Sequence, residues 1–189
     1  MIKNIERINK DLARFSDQEI VITETASCAA GRGPGTIRLS TQNKCLWMKL
    51  PETPIKWTQV QKCGDSAIIE FTQTGNRLHL LEMKSKITIK EWVKTKEQWL
   101  GAYINSLALS GVLELAPFSE IILYIAYTEE SITSTNYDAD PVMKKVGIGK
   151  SLITNTRDWG ASTTSIGLGD WRLRYVQRDS SGNAQSSLA

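Results

Sequence analysis

Residues 64–86 read GDSAIIEFTQTGNRLHLLEMKSK. Two β-like runs, Ala67–Gln73 and Arg77–Lys84, flank a turn signal at Thr74-Gly75-Asn76. An acid, Asp65, opens the first run, and the triplet Glu82-Met83-Lys84 closes the second. Side chains alternate between faces along a strand, so Glu82 and Lys84 share one face. A two-residue loop at Thr74-Gly75 pairs Gln73 with Asn76 and sets Lys84 opposite Asp65 and Glu82 opposite Ala67. A four-residue loop over Thr74–Arg77 keeps the same parity, whereas a three-residue loop breaks it. In both even registers Asp65, Glu82 and Lys84 lie on one face, and Glu70 and His79 fall on the other. Opposed strand residues have Cβ atoms roughly 5 Å apart and diagonal neighbours roughly 7–8 Å. Two carboxylates at that range can share one Mg²⁺ at about 2.1 Å each. A lysine beside them completes a set suited to metal-assisted attack on a phosphodiester.

Downstream, the period of the pattern changes. Ile89, Trp92, Val93, Lys96, Trp99, Leu100, Tyr103, Ile104, Leu107 and Ala108 follow a 3.6-residue repeat, which predicts a long amphipathic helix ending near Ser110-Gly111. Ile121–Tyr127 (IILYIAY) is a continuous apolar run, the mark of a strand buried on both faces. Strand, long helix and buried strand in that order predict a parallel crossover. Upstream, Ile2, Ile5, Ile8, Leu12 and Phe15 recur at helical steps and predict an N-terminal amphipathic helix. Ile20–Thr23, Thr36–Ser40 and Cys45–Leu50 read as strands, and Ala26–Gly35 as an irregular glycine-rich loop. The expected fold class is α/β, a mixed central β-sheet flanked by helices. Trp171–Gln177 alternates apolar and basic residues, as an edge strand would, and Ser180–Ala189 reads as a disordered polar tail.

The run from Asp65 to about Tyr127 resembles the PD-(D/E)XK nuclease superfamily. The matching pieces are Asp65, the apolar run Leu78–Leu81, Glu82-Met83-Lys84, and the helix and buried strand that follow. The resemblance covers about a third of the chain. Glycine stands at 64, where the family usually has proline. The resemblance implies a restriction-endonuclease-like core of order α-β-β-β-α-β, with a single nuclease-like domain over residues 1–178, its motif region at 62–127, and a tail at 179–189. It implies Mg²⁺, with Mn²⁺ as substitute, held by Asp65, Glu82 and the backbone carbonyl of Met83. Lys84 then orients or deprotonates the attacking water. Some members carry a further acid on the N-terminal helix. Glu6 is the first choice here, with Asp11 and Glu24 behind it. Others place Gln-x-x-x-Tyr on the helix after the motif. Gln98 and Tyr103 miss that spacing by one residue, which leaves Gln98 as an accessory residue only.

Composition limits the function classes. The chain has 189 residues, enough for one domain with a full core, and 41% hydrophobic and 23% charged residues are ordinary for a soluble globular protein. No run approaches the twenty or so apolar residues of a membrane span. The N-terminus lacks the apolar core of a signal peptide. These features predict a cytoplasmic protein without a membrane partner. Three cysteines without C-x-x-C spacing and a single histidine, His79, argue against structural zinc and for reduced, mostly buried thiols. KKVGIGKS at 144–151 has lysine where a phosphate-binding loop needs glycine, which argues against ATP binding. Between Lys144 and Arg178 seven basic residues face only Asp158 and Asp170. Lys144, Lys145, Lys150, Arg157, Arg172 and Arg174 are therefore the expected nucleic-acid contacts, with Arg178 at the end of the segment. Trp159 and Trp171, in the same region, are open to base stacking or to core packing.

The reading that results is a Mg²⁺-dependent nuclease acting on DNA, with RNA left open, in restriction, defence or repair. Cleaving both strands needs two centres, so a homodimer is expected. The alternative is an inactive nuclease-fold module that binds nucleic acid or a protein partner.

Overall fold

The computed structural model describes residues 4–24, 35–50, 62–132 and 158–188. Within them lies a seven-stranded mixed sheet built from β1 (Ala13–Ser16), β4 (Cys45–Lys49), β5 (Ser66–Thr72), β6 (Gly75–Ile87), β7 (Phe118–Glu130), β8 (Thr163–Ser165) and β9 (Asp170–Gln177). Its strand order is β1-β4-β5-β6-β7-β9-β8. The pairs β6–β7 and β7–β9 are parallel, and the others antiparallel. Helix α1 (Ile89–Val112) carries the chain from β6 to its parallel neighbour β7. Thr88 starts it, its hydroxyl accepting the Glu91 N–H at 3.2 Å.

The parity of β6 divides the core in two. Leu78 and Leu80 face α1, where Trp92, Trp99 and Ala102 meet Leu46, Ile69, Leu123 and Ile125. Leu81 and Met83 face the other way, onto a three-stranded sheet of β2 (Glu19–Thr23), β3 (Thr36–Ser40) and β10 (Ala184–Ser187). Ile20, Ile22, Ile37 and Leu39 of that sheet pack on Ile68, Ile122, Tyr124 and Val176. Both faces of β5, β6 and β7 are thus covered, which is why their sequences are continuous apolar runs. The strands of the small sheet instead alternate buried and exposed residues.

Four expectations are corrected. Among the described residues the N-terminal segment forms a 3-10 turn, Ile5–Arg7, followed by a turn at Asn9–Leu12 and strand β1. The Asn9 side chain accepts the Asp11 N–H at 2.9 Å, a local bond that competes with helix, and β-branched isoleucines add little helix propensity. Helices do not flank the sheet on both sides: among the described residues α1 is the one α-helix, and a second sheet covers the other face. Strand β9 is internal, because the short β8 pairs outside it. The polar C-terminal segment holds β10, which pairs in parallel with β3, and Leu188 packs against the inter-sheet core.

Candidate functional site

The hairpin closes over Gln73 and Thr74, with Thr72 paired to Gly75. The turn is one residue earlier than Thr74-Gly75, but it is still even in length. Side-chain bonds hold it there: Thr72 Oγ1 donates to the Gly75 carbonyl at 2.7 Å, and Thr74 N donates back to Thr72 Oγ1 at 3.2 Å. The last ladder pair is Ser66 with Leu81, so Asp65 stands directly opposite Glu82, on the α1 face with Lys84.

β5 ends at Ser66 while β6 runs on to Ile87, which frees the β5 side of Met83 from the ladder. Asp65 takes that place. Its Oδ2 accepts the Met83 N–H at 2.7 Å, and its own N–H donates to Glu82 Oε2 at 3.2 Å. In a strand the N–H and C=O of one residue point to the same side, so the Met83 carbonyl also faces the Asp65 edge. Gly64 permits this approach. A Cβ there would sit 3.3 Å from Ala102 Cβ on α1 and 3.4 Å from the Leu81 carbonyl.

Lys84 is held from three directions. Its Nζ lies 2.5 Å from Glu82 Oε1, 2.9 Å from Gln98 Oε1 and 3.6 Å from Glu91 Oε2. Gln98 is thereby brought to the site as expected, and its amide also donates to the Cys63 carbonyl at 3.4 Å. Glu91 was not foreseen. The signal was available: Glu91 and Gln98 are seven apart, two turns on one helix face.

Glu82 is 1% exposed, and burial followed by the neighbouring Asp65 charge pushes its carboxyl up to about 8, against the pull of Lys84 and Gln98. Burial also raises Asp65, opposed first by the Met83 N–H and then by Lys84. Burial alone would lower Lys84, but Glu82, Glu91 and Asp65 outweigh it and raise the ammonium above its ordinary value. The surrounding carboxyl groups thus favour the charged form of Lys84. Cys63, next to the site, is pushed up to about 11 by burial and is an unreactive thiol.

Among the described residues no three His, Cys, Asp or Glu side chains form a metal-holding group. The donors offered here are two carboxyl groups and one main-chain carbonyl, all hard oxygens. That set suits Mg²⁺, which keeps several waters and needs few protein ligands.

The other expected residues are placed elsewhere. Glu6 is exposed on the 3-10 turn, and nearby Asn4 Nδ2 donates to the Val112 carbonyl at the far end of α1. At 1.5 Å per residue, that end lies roughly 21 Å along the helix from Gln98. Glu24, at the end of β2, is instead the further acid whose charge Asp65 feels. Arg172 and Arg174 pair with Ile122 and Tyr124, on the face toward the small sheet, and Arg172 Nη1 is bound to Glu120 Oε1 at 3.0 Å. The structure does not bring them to Glu82 and Lys84. Lys144, Lys145, Lys150 and Arg157 lie outside the described residues. Trp159 packs edge-on against Trp92, Tyr127 and Tyr175, and Trp171 stands tilted against Tyr103, so both pack against other aromatic rings. No helix among the described residues is long and apolar enough to cross a membrane.

Family models, curated proteins and solved structures were compared with the chain, and none matches.

Proposed function

We propose that the protein is a metal-dependent nuclease that hydrolyses phosphodiester bonds of DNA, on a restriction-endonuclease-like core formed by β4, β5, β6, α1 and β7. The observation that carries this reading is the opposition of Asp65 and Glu82 across the open end of the β5–β6 ladder, with Lys84 2.5 Å from Glu82. The site stands at the carboxyl ends of the parallel strands β6, β7 and β9, where open α/β sheets bind ligands.

Asp65, Glu82 and the Met83 carbonyl would hold the ion. Bound Mg²⁺, or Mn²⁺ in its place, supplies a lowered pKa for its water and charge stabilisation for the phosphoryl group. Lys84, kept protonated by its carboxylate neighbours, donates to a phosphate oxygen and orients the attacking water. Gln98 and Glu91 keep its ammonium in place. The burial of Glu82 excludes water from the side of the site away from substrate. Cleavage of both strands would pair two copies of the chain on one duplex.

Supercoiled plasmid, linear duplex, single-stranded DNA and RNA incubated with Mg²⁺, Mn²⁺ or EDTA test the reading. Cleavage is expected with either metal and not with EDTA. Glu82→Ala and Lys84→Ala are each expected to lower the rate by about 10²-fold or more. Cleavage that survives both substitutions sinks the site assignment. Absence of cleavage and of metal binding, with nucleic acid still bound, would make the chain an inactive binding module instead.

A further inference from the structure

Arg178 follows directly on β9, and its N–H donates to the carbonyl of Tyr127, the β7 residue paired with Lys84. It stands at the same end of the sheet as Asp65 and Glu82. Its side chain is 3% exposed. Nε donates to the Gly182 carbonyl at 2.6 Å and Nη2 to Glu24 Oε2 at 3.1 Å, while Nη1 is buried with no hydrogen-bond partner among the described residues. An unpaired N–H on a buried guanidinium is costly, and among the described residues nothing satisfies this one. The slot that holds the group is built of glycine. A Cβ at Gly35 would lie 1.6 Å from Nη2, and one at Gly182, where φ is +83°, would lie 2.9 Å from it. Glu24 is the part of the pair that solvent reaches, its side chain 30% exposed. The guanidinium lies on the small-sheet side of that end, against Glu24, Gly35 and Gly182, and the charges of both Glu24 and Arg178 bear on Asp65.

Resting on the nuclease reading above, we propose that Arg178 is a phosphate-binding residue of that site, held by Glu24 in the free protein. A backbone phosphate of bound DNA displaces the Glu24 carboxylate and is bound in a two-pronged manner by Nη2 and the otherwise unpartnered Nη1. The guanidinium fork fits a phosphate as it fits a carboxylate, and the exchange gives both terminal nitrogens an acceptor. Glu24 competes with the substrate for the same group, so its removal favours binding.

The test uses a fluorescein-labelled duplex DNA, Ca²⁺ in place of Mg²⁺ to block cleavage, and anisotropy at several salt concentrations. Arg178→Met is expected to weaken binding about tenfold and to reduce the slope of log K against log salt by about 0.9, the value of one phosphate contact. Glu24→Gln is expected to tighten binding severalfold. Both substitutions break the same ion pair and lower thermal stability alike, so a merely structural role moves binding in the same direction for both. Opposite directions support the proposal. Equal slopes for wild type and a folded Arg178→Met overturn it while leaving the nuclease reading intact. Should Arg178→Met not fold, Glu24→Gln decides alone: unchanged or weaker binding overturns the proposal. A wild-type protein that neither binds nor cleaves DNA overturns both readings.

Discussion

Glu82 shows how one side chain's position sets a measurable property. Its parity on β6 turns it toward α1, and the end of β5 brings Asp65 against it. Burial and Asp65 then push its carboxyl up to about 8 from an ordinary 4.5. A metal ion needs the carboxylate, so binding in the nuclease reading releases this proton. Mg²⁺ affinity is expected to rise as pH increases toward about 8 and to level off above it, checked by calorimetric titration between about pH 6 and about pH 9. An affinity independent of pH over that range contradicts the assignment. The raised value has a second consequence with a definite sign. The stability it contributes is present below about 4.5 and is lost as pH rises through about 8. Mg²⁺ should therefore raise the melting temperature more at alkaline than at acid pH. Asp65, Glu82 and Lys84 were legible because strand parity survives any even turn. The places of Glu24 and Arg178 were not, because each reaches this end of the sheet from an element whose position the hairpin does not determine.

Elements bring these residues together through two close approaches. At Gly64 the chain passes close against α1, where a Cβ would sit tightly at 3.3 Å from Ala102 Cβ and a larger side chain would crowd the helix. Gly64→Val is expected to displace Asp65 from Glu82 and reduce cleavage by about 10-fold to 10²-fold, with circular dichroism showing that the fold remains. Full activity in that variant would mean that Asp65 is not part of the centre. At the other approach, Lys96 of α1 is buried and bonded to Asp158 at 2.7 and 2.5 Å, with Trp92 Nε1 on the same carboxylate at 3.0 Å. Thr164 donates to Asp158 as well, which ties strand β8 to the helix. Asp158→Ala removes the charge facing a buried ammonium and is expected to cost about 3 kcal/mol, measured by urea denaturation. α1 itself was legible from its period. The N-terminal segment carries a similar period yet forms only a 3-10 turn and a strand, because β4 offers a ladder to Ala13–Ser16.

Across the whole molecule, the large sheet separates the candidate site from a buried polar network on its other face. There Glu70 accepts from His79 Nε2 at 3.1 Å and from Asn43 at 2.8 Å, with the Tyr124 hydroxyl 3.2 Å from His79 Nδ1. The His79 bond, opposed by burial and helped by Asn43 and Arg77, holds the Glu70 carboxyl below its ordinary 4.5. A depressed carboxyl contributes stability above its unfolded value that is lost as pH falls through the folded one. Glu70→Gln is expected to cost about 2 kcal/mol at neutral pH. The difference from wild type should shrink below about pH 4.5, seen in urea denaturation at a series of pH values. A difference that stays constant into acid contradicts the role of the charge. Because this network lies on the face away from Glu82, Glu70→Gln should leave DNA cleavage unchanged at neutral pH.

What the sequence determined by itself is what depends on local period and parity. The hairpin, the long helix, the doubly buried β7 and the shared face of Asp65, Glu82 and Lys84 all follow from spacing along the chain, since side-chain direction in a strand or helix repeats with it. Tertiary structure decided what covers each face and which distant groups meet. Ile20, Ile22, Ile37 and Leu39 carry the alternation of half-buried strands, but nothing local says that they cover the back of the main sheet. The polar Ala184–Ser187 becomes a strand because β3 leaves an edge for it, and Arg178 is carried to the Asp65 end of the sheet by the register of β9 on β7. Such pairings are satisfied through space, between segments more than a hundred residues apart in the case of Arg178 and Glu24, and leave no periodic trace in the chain.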